Sequence, residues 1–335
     1  MSAPTQAIPE LRGFLHGLPG VACVGALIAN SYSKARPDRN VGTRTDTAAM
    51  ELNGLTALVT GGAAGIGAGI AERLAAEGMH VVIADLDDRQ GPITAERVGG
   101  SFLRTDLANR ADVHAAVDAA GPVGVLVNNA GGIEEPCFPA ADPAKWEQTL
   151  DLNLRAVMLA TQLVLAPMRE RGGGAIINIA STAGLGTASH VSPEYAVAKA
   201  GVVRFTACLA PLRDTMAVRA NCICPGLVDT PASRRSRSRM TPAELAGLPP
   251  VMSPADIAAA AMEFLADDTL AGRIMLCRQG GEPPRLLPVT DGQELAGQGG
   301  LDHAAEGDQP LLPAGRPDEL ERGGQAGRTA GDGQG

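Results

Sequence analysis

Tyr195-Ala196-Val197-Ala198-Lys199 places a phenol and an ammonium four positions apart, so that on a helix they share one face a single turn apart. Such a pair can act as an acid/base unit. A free phenol has a pKa of about 10, and bringing it near neutrality asks for roughly 4 kcal/mol of preferential stabilisation of the phenolate. The Lys199 ammonium, with a cationic ring bound nearby, can supply that. The spacing carries information because the chain has two tyrosines, Tyr32 and Tyr195, and its lysines are Lys34, Lys145 and Lys199. Chance would put a lysine four residues after either tyrosine with a frequency on the order of 2%, against a surface i,i+4 pair as the plain alternative.

Two further residues fit the same chemistry. Ser181 ends the apolar run Ala175 to Ala180, where its hydroxyl can hold a carbonyl or a developing alkoxide; otherwise it is a turn or cap residue. Asn153, in Asp151-Leu152-Asn153-Leu154, falls inside a long helical pattern, an unfavoured place for Asn unless its amide has a task. Holding a water that links Lys199 to solvent would be such a task.

These residues need a scaffold, and its pattern starts near Met50. Short β-rich runs (Leu55 to Thr60, His80 to Ala84, Ser101 to Arg104, Val123 to Asn128, Ala175 to Ala180, Ala217 to Ile223, Arg273 to Cys277) alternate with helical stretches. The helices include Ile66 to Glu77, Asn109 to Ala119, Pro143 to Arg171, Glu194 to Leu212 and Pro254 to Ala266. This alternation predicts an α/β fold, a doubly wound parallel sheet of seven strands covered on both faces. The expected folded unit spans residues 50 to 284, preceded by a flexible, turn-rich leader of residues 1 to 49 and followed by a disordered Gly-rich tail, 285 to 335.

Thr60-Gly61-Gly62-Ala63-Ala64-Gly65-Ile66-Gly67 lies where the first strand meets the first helix. Gly61 permits the tight turn, Gly65 lets backbone approach a pyrophosphate, and Gly67 lets the helix pack closely, while the helix N-terminus offers donors to phosphate. Asp85, eighteen residues past Gly67, can accept hydrogen bonds from an adenosine ribose. Its charge would repel a 2′-phosphate, so NAD is expected over NADP, with Arg89 nearby keeping the second open. Asp106 and Leu107 after the third strand are candidates for the adenine, and Asn128-Asn129-Ala130-Gly131 after the fourth joins the same ligand-binding edge.

Together, Thr60-Gly61 with Gly65-Ile66-Gly67, Asn128 to Gly131, Asn153, Ser181, Tyr195 with Lys199, and Pro225-Gly226 resemble the short-chain dehydrogenase/reductase family over residues 51 to 284. The resemblance implies a Rossmann-type fold, a nicotinamide cofactor and a catalytic set of Asn153, Ser181, Tyr195 and Lys199. It further implies that Pro225, Gly226, Val228 and Thr230 line the nicotinamide end, and that the protein is a homodimer or homotetramer. One departure is Arg278-Gln279 before Gly280-Gly281, where the family often has an Asp. Met50-Glu51-Leu52-Asn53-Gly54 looks like the usual family start, which makes residues 1 to 49 a dispensable or upstream segment.

The reaction expected is the interconversion of a secondary alcohol and a ketone. A 3-oxoacyl-thioester reductase is the alternative, because Ser233 to Arg239 reads S-R-R-S-R-S-R and could attract an acidic carrier or a CoA phosphate; a solvated mobile stretch is its plainer reading. A non-catalytic dinucleotide sensor is the alternative from another class. Substrate-pocket walls fall to Ile133 to Ala140, Thr182 to Ser192 and Leu227 to Pro250.

Composition sets the outer bounds. The 335-residue chain is 45% apolar and carries a net charge of −9, with one Trp, two Tyr and five Phe. That acidity and scarcity of aromatics argue against nucleic acid as a partner. Cys23, Cys137, Cys208, Cys222, Cys224 and Cys277 show neither C-x-x-C pairs nor His-spaced clusters, so reduced thiols in a cytoplasmic protein without a metal are expected. Cys222 and Cys224 would share one face of a strand. No apolar stretch reaches the length of about 18 residues that a membrane span needs, and Gly13 to Ala29 makes a poor signal sequence.

Overall fold

A computed structural model describes residues 50–248, 250–278 and 282–289. The leader, the tail from residue 290 and the segment Gln279-Gly280-Gly281 lie outside the described residues. Strand β1 (Thr56–Thr60) pairs in parallel with β2 (His80–Asp85) on one side and β4 (Val123–Asn128) on the other. β3 (Ser101–Arg104) flanks β2, while β5 (Gly174–Ile179), β6 (Val218–Pro225) and β7 (Ile274–Cys277) continue beyond β4. The order 3-2-1-4-5-6-7 reverses between β1 and β4, opening a crevice at their carboxyl ends, where doubly wound sheets bind ligands.

Alternation along the buried strands sends Ala57 and Val59 to one face and Leu58 to the other. On the first face they meet Ile70 and Leu74 of α1 (Gly65–Ala76) and Ile257, Phe264 and Leu265 of the helix Pro254–Ala266. On the second, Leu58, Val82 and Leu126 pack with Val113 and Val117 of α3 (Arg110–Ala120) and with Ala160, Val164 and Met168 of Ala156–Glu170.

The seven parallel strands fall where the sequence places them, and an eighth was not foreseen. β8 (Arg285–Leu286) runs antiparallel to β7, with Leu286 beside Met275 and the Leu287 N–H donating to the Ile274 carbonyl at 2.8 Å. Ordered structure therefore extends past the expected boundary at residue 284: β7 still had an open edge, and Leu286 covers part of the core. Helix α2 (Gln90–Arg97), between β2 and β3, was also missed. Gly91 and Pro92 mask it in the sequence, yet both sit in its first turn, where Pro is tolerated. A Cβ on Gly91 would come within 2.1 Å of the Phe102 ring, so close packing on β3 requires the glycine.

The single helix expected over Pro143 to Arg171 is three pieces in one rod: α4 (Pro143–Leu150), a π turn over Asp151–Arg155, and α5 (Ala156–Glu170). The Ala156 N–H reaches back five residues to the Asp151 carbonyl. Pro143–Glu170 is, among the described residues, the one helix long and apolar enough to cross a membrane by length and composition; here its apolar face covers the sheet. After β5, helix α6 (Pro193–Cys208) stops short of the expected Leu212, and a separate α7 (Leu212–Met216) follows. Pro211, which lacks an N–H and restricts Ala210, accounts for the break. Helices α8 (Pro231–Arg237) and α9 (Pro242–Ala246) precede α10 (Pro254–Ala266), whose Ser253 and Asp256 form a capping box.

Candidate active site

Gly61, at φ +62, turns the chain out of β1 and presses against the loop after β4: a Cβ there would sit 2.7 Å from the Ala130 Cα. Gly67 packs still closer, since its Cβ would fall 2.2 Å from the Gly61 carbonyl oxygen and 2.5 Å from the Asn129 amide nitrogen. Its close approach is thus to the loop itself rather than to the sheet. Gly65 faces Thr230, whose methyl would lie 3.0 Å from an added Cβ, and half-buried Ile66 packs on the core behind. Asn129 stitches the two loops together, its side-chain amide donating to the Thr60 and Gly61 carbonyls at 3.1 and 2.8 Å. The Thr60 hydroxyl accepts from the Asn129 and Ala130 N–H groups.

Asp85 ends β2 with both carboxylate oxygens engaged: Oδ2 accepts from the Ala63 N–H at 2.9 Å and Oδ1 from the Asp87 N–H at 3.0 Å. Each oxygen retains a lone pair for a ribose hydroxyl. The Asp106 carboxylate closes a turn on the Ala108 N–H, and Leu107, packed against Val113 and Val117, lines a small cavity together with Thr60, Asn128 and Ala130. Pro225 is buried at the end of β6, the Gly226 N–H donates to the Cys277 carbonyl, Val228 bridges to Met252, and Thr230 caps α8 beside Gly65.

One crevice away stand the four reactive candidates. Ser181 leaves β5 in extended conformation, its Oγ accepting from the Ala183 N–H at 3.1 Å, and its side chain lies near enough to Tyr195 to lower the phenol's pKa. Lys199, buried one turn along α6, donates to the Ile179 carbonyl at 3.0 Å and holds its ammonium 5.7 Å from the Tyr195 ring centroid. Gly184 makes this possible, since a Cβ there would strike the Lys199 backbone at 2.6 Å. Asn153 lies in the π turn, a feature often found at functional sites. Its Oδ1 accepts from the Gly132 N–H at 3.0 Å, and its Nδ2 donates to the Gly132 and Thr149 carbonyls, both at 2.9 Å. The amide's task is therefore to clamp the loop after β4. A Cβ on Gly131 would fall 2.5 Å from the Asn153 Oδ1 and 3.0 Å from the Lys199 Nζ, so Gly131 is the point on which the two side chains converge.

Electrostatics follow from burial. Desolvation pushes the Tyr195 phenol above its ordinary value, with the Ser181 side chain pulling it back and Cys224 adding to the rise. Desolvation also lowers the Lys199 ammonium to about 8, against which Cys222 and Cys224 favour the charged form. Those two thiols do share a strand face, 4.0 Å apart beneath the site, and Cys137, Cys208 and Cys277 are free as well.

Two contacts had no signal in the sequence. His190 stacks on Tyr195 with centroids 5.8 Å apart, a contact made by a loop without periodic signal. A buried relay runs from Thr161 through Asn128 and Asn178 to Thr206, steadying the ends of β4 and β5. Part of the arginine run forms α8, where Arg234 and Arg237 pair with Asp229, and Arg239 reaches Glu135 of the loop after β4 through an exposed contact.

Residues 55–241 match the sequence profile of the short chain dehydrogenase family, and the chain belongs to it. It is accordingly an oxidoreductase acting on CH–OH donors with a nicotinamide coenzyme of the NAD(P) type. A probable galactose dehydrogenase of Rhizobium meliloti (strain 1021) is 36% identical over 188 residues, 53% of this chain and 73% of that protein. A 3-oxoacyl-acyl-carrier-protein reductase of Chlamydia muridarum (strain MoPn / Nigg) is 33% identical over 224 residues, 63% of this chain and 90% of its own length. Among solved structures, an actinorhodin polyketide ketoreductase with NADPH superposes at a TM-score of 0.62 with 28% identity, covering 67% of this chain and 95% of the other.

Proposed function

We propose that the protein is an NAD-preferring dehydrogenase that interconverts a secondary alcohol and its ketone, with Tyr195 as general acid and base. The observation that carries this reading is the buried Lys199 ammonium 5.7 Å from the Tyr195 ring, with Ser181 beside the phenol, on the edge of the sheet that also bears the glycine loop. The dinucleotide fits because Gly61 and Gly67 let the loop ahead of α1 fold tightly against the loop after β4 at the carboxyl edge of the sheet, and because Asp85 is held there with lone pairs to spare. The residues that would hold it are Gly61, Gly65, Ile66 and Gly67 at the pyrophosphate, Asp85, Asp106 and Leu107 at the adenosine, and Asn129, Ala130, Gly131, Pro225, Gly226, Val228 and Thr230 towards the nicotinamide.

When bound, the coenzyme supplies the acceptor for the hydride that leaves the carbinol carbon. Ser181 holds the substrate oxygen, and ionised Tyr195 takes the hydroxyl proton; in the reducing direction Tyr195 returns it. With a pKa of about 8, Lys199 keeps its charge at neutral pH and favours the phenolate against the desolvation that opposes it. Asn153 keeps the Gly131-Gly132 backbone in place beside Lys199.

Asp85 supports NAD over NADP through repulsion of a 2′-phosphate. The thioester alternative draws on the Chlamydia relative, but Asp229 and Glu135 pair with three of the four arginines meant to attract an acidic carrier and halve their net charge. A panel of secondary alcohols tested with NAD and with NADP, followed at the reduced-nicotinamide absorbance, checks the reading. Alcohol-dependent reduction, faster with NAD, is expected; NADH binding without turnover of any alcohol, sugar or thioester would favour the sensor alternative.

A further inference from the structure

We propose that Thr94, on helix α2, is a positioning residue for the coenzyme: its buried hydroxyl fixes the Ala63 carbonyl and so sets the loop that receives the pyrophosphate. The proposal rests on the dinucleotide reading of residues Gly61 to Gly67. Ala63 sits midway through that loop and is itself buried. Its N–H is taken by Asp85, which the sequence reading anticipated as a ribose ligand; its carbonyl accepts from the Thr94 Oγ1 at 2.7 Å across 31 residues of chain. Thr94 is fully buried, at 0% exposure.

A hydroxyl has one proton to give and two lone pairs. Gln90 Nε2 and Arg97 Nη2 both approach the Thr94 Oγ1 as donors, at 3.2 and 3.4 Å, which leaves its proton for the Ala63 carbonyl. Arg97 continues to Glu72 of α1 at 2.8 Å, so the helix that follows the loop is tied to the same node. With the Gly62–Ala63 peptide held at its N–H by Asp85 and the Ala63–Ala64 peptide held at its C=O by Thr94, both peptide planes flanking Ala63 are fixed, and a glycine-rich loop of high intrinsic freedom is kept in one shape before ligand arrives. The effect of Thr94 should appear in coenzyme affinity and not in the hydride-transfer step.

The test compares NADH binding, by the fluorescence of bound NADH, and steady-state kinetics of the full-length protein with Thr94→Val, Thr94→Ser and Gln90→Ala. The expected result is a roughly tenfold weaker NADH affinity and higher KM for NAD in Thr94→Val, kcat at saturating NAD within about twofold of the parent, and near-parental values for Thr94→Ser. Gln90→Ala, at the edge of α2, serves if the valine variant does not fold, with an expected loss of about threefold. Unchanged NADH affinity in Thr94→Val, or in Gln90→Ala where that variant decides, overturns the proposal. So does a serine variant as impaired as the valine one, or a fall confined to kcat. Failure of the parent protein to bind NADH at all would instead remove the dinucleotide reading itself, before any variant is compared.

Discussion

The two ends of the crevice are built differently. At the coenzyme end, the loops after β1, β2 and β4 are joined by buried or half-buried bonds between side chain and backbone: Asp85 and Thr94 on Ala63, and Asn129 on Thr60 and Gly61. At the substrate end, the loops after β4 and β6 meet through an exposed Arg239–Glu135 pair, and large apolar side chains stand in solvent, Phe138 at 57% and Val191 at 80% exposure. On the proposed reading, the coenzyme end is a fixed mould for a ligand of constant shape. The other has loops whose contacts are individually weak, suited to a substrate that differs from one relative to the next.

That contrast can be broken or sharpened by experiment, beginning with the group at the junction. Tyr195→Phe should lower kcat by about a thousandfold while leaving NADH binding nearly intact, as measured by turnover and by fluorescence titration. Gly67→Ala forces a methyl onto the Gly61 carbonyl and should weaken NADH binding by roughly a hundredfold, with kcat at saturating coenzyme less affected. Asp85→Ala should shift the ratio of kcat/KM for NAD over NADP by at least about tenfold towards NADP, without loss of the fold.

The Lys199 prediction concerns stability. Its folded pKa of about 8 lies below the ordinary 10.5, so between those values the unfolded chain binds the extra proton. The stability of the parent protein should therefore rise relative to Lys199→Met as pH goes from 8 to 10.5, by up to about 3 kcal/mol, measured by denaturant unfolding of both. A difference that stays flat would mean that burial does not tax the ammonium. The smallest effect is expected at the other end: Arg239→Ala should change stability by no more than about 0.5 kcal/mol, the pair with Glu135 being exposed.

The same contrast explains what could be read from the sequence. Glycines at Gly61, Gly65 and Gly67 and the seven parallel strands were legible because backbone approach and burial on both faces leave few residue choices. Tyr195 and Lys199 were legible because helical spacing alone puts them on one face. Helix α2 was not, since Gly91 and Pro92 mimic a break, and with it went Thr94, whose partner is 31 residues away. The π turn at Asn153 escaped for a related reason: an inserted residue in the helical count shows only in the backbone.

The central claim, that Tyr195 works on a substrate held against a bound dinucleotide, is tested most directly by the structure of the protein with NADH. The account predicts the pyrophosphate on the backbone of Gly61 to Gly67 and the nicotinamide C4 facing the hydroxyls of Tyr195 and Ser181. A nicotinamide placed elsewhere, or a Tyr195 hydroxyl turned away from the ring, would contradict it.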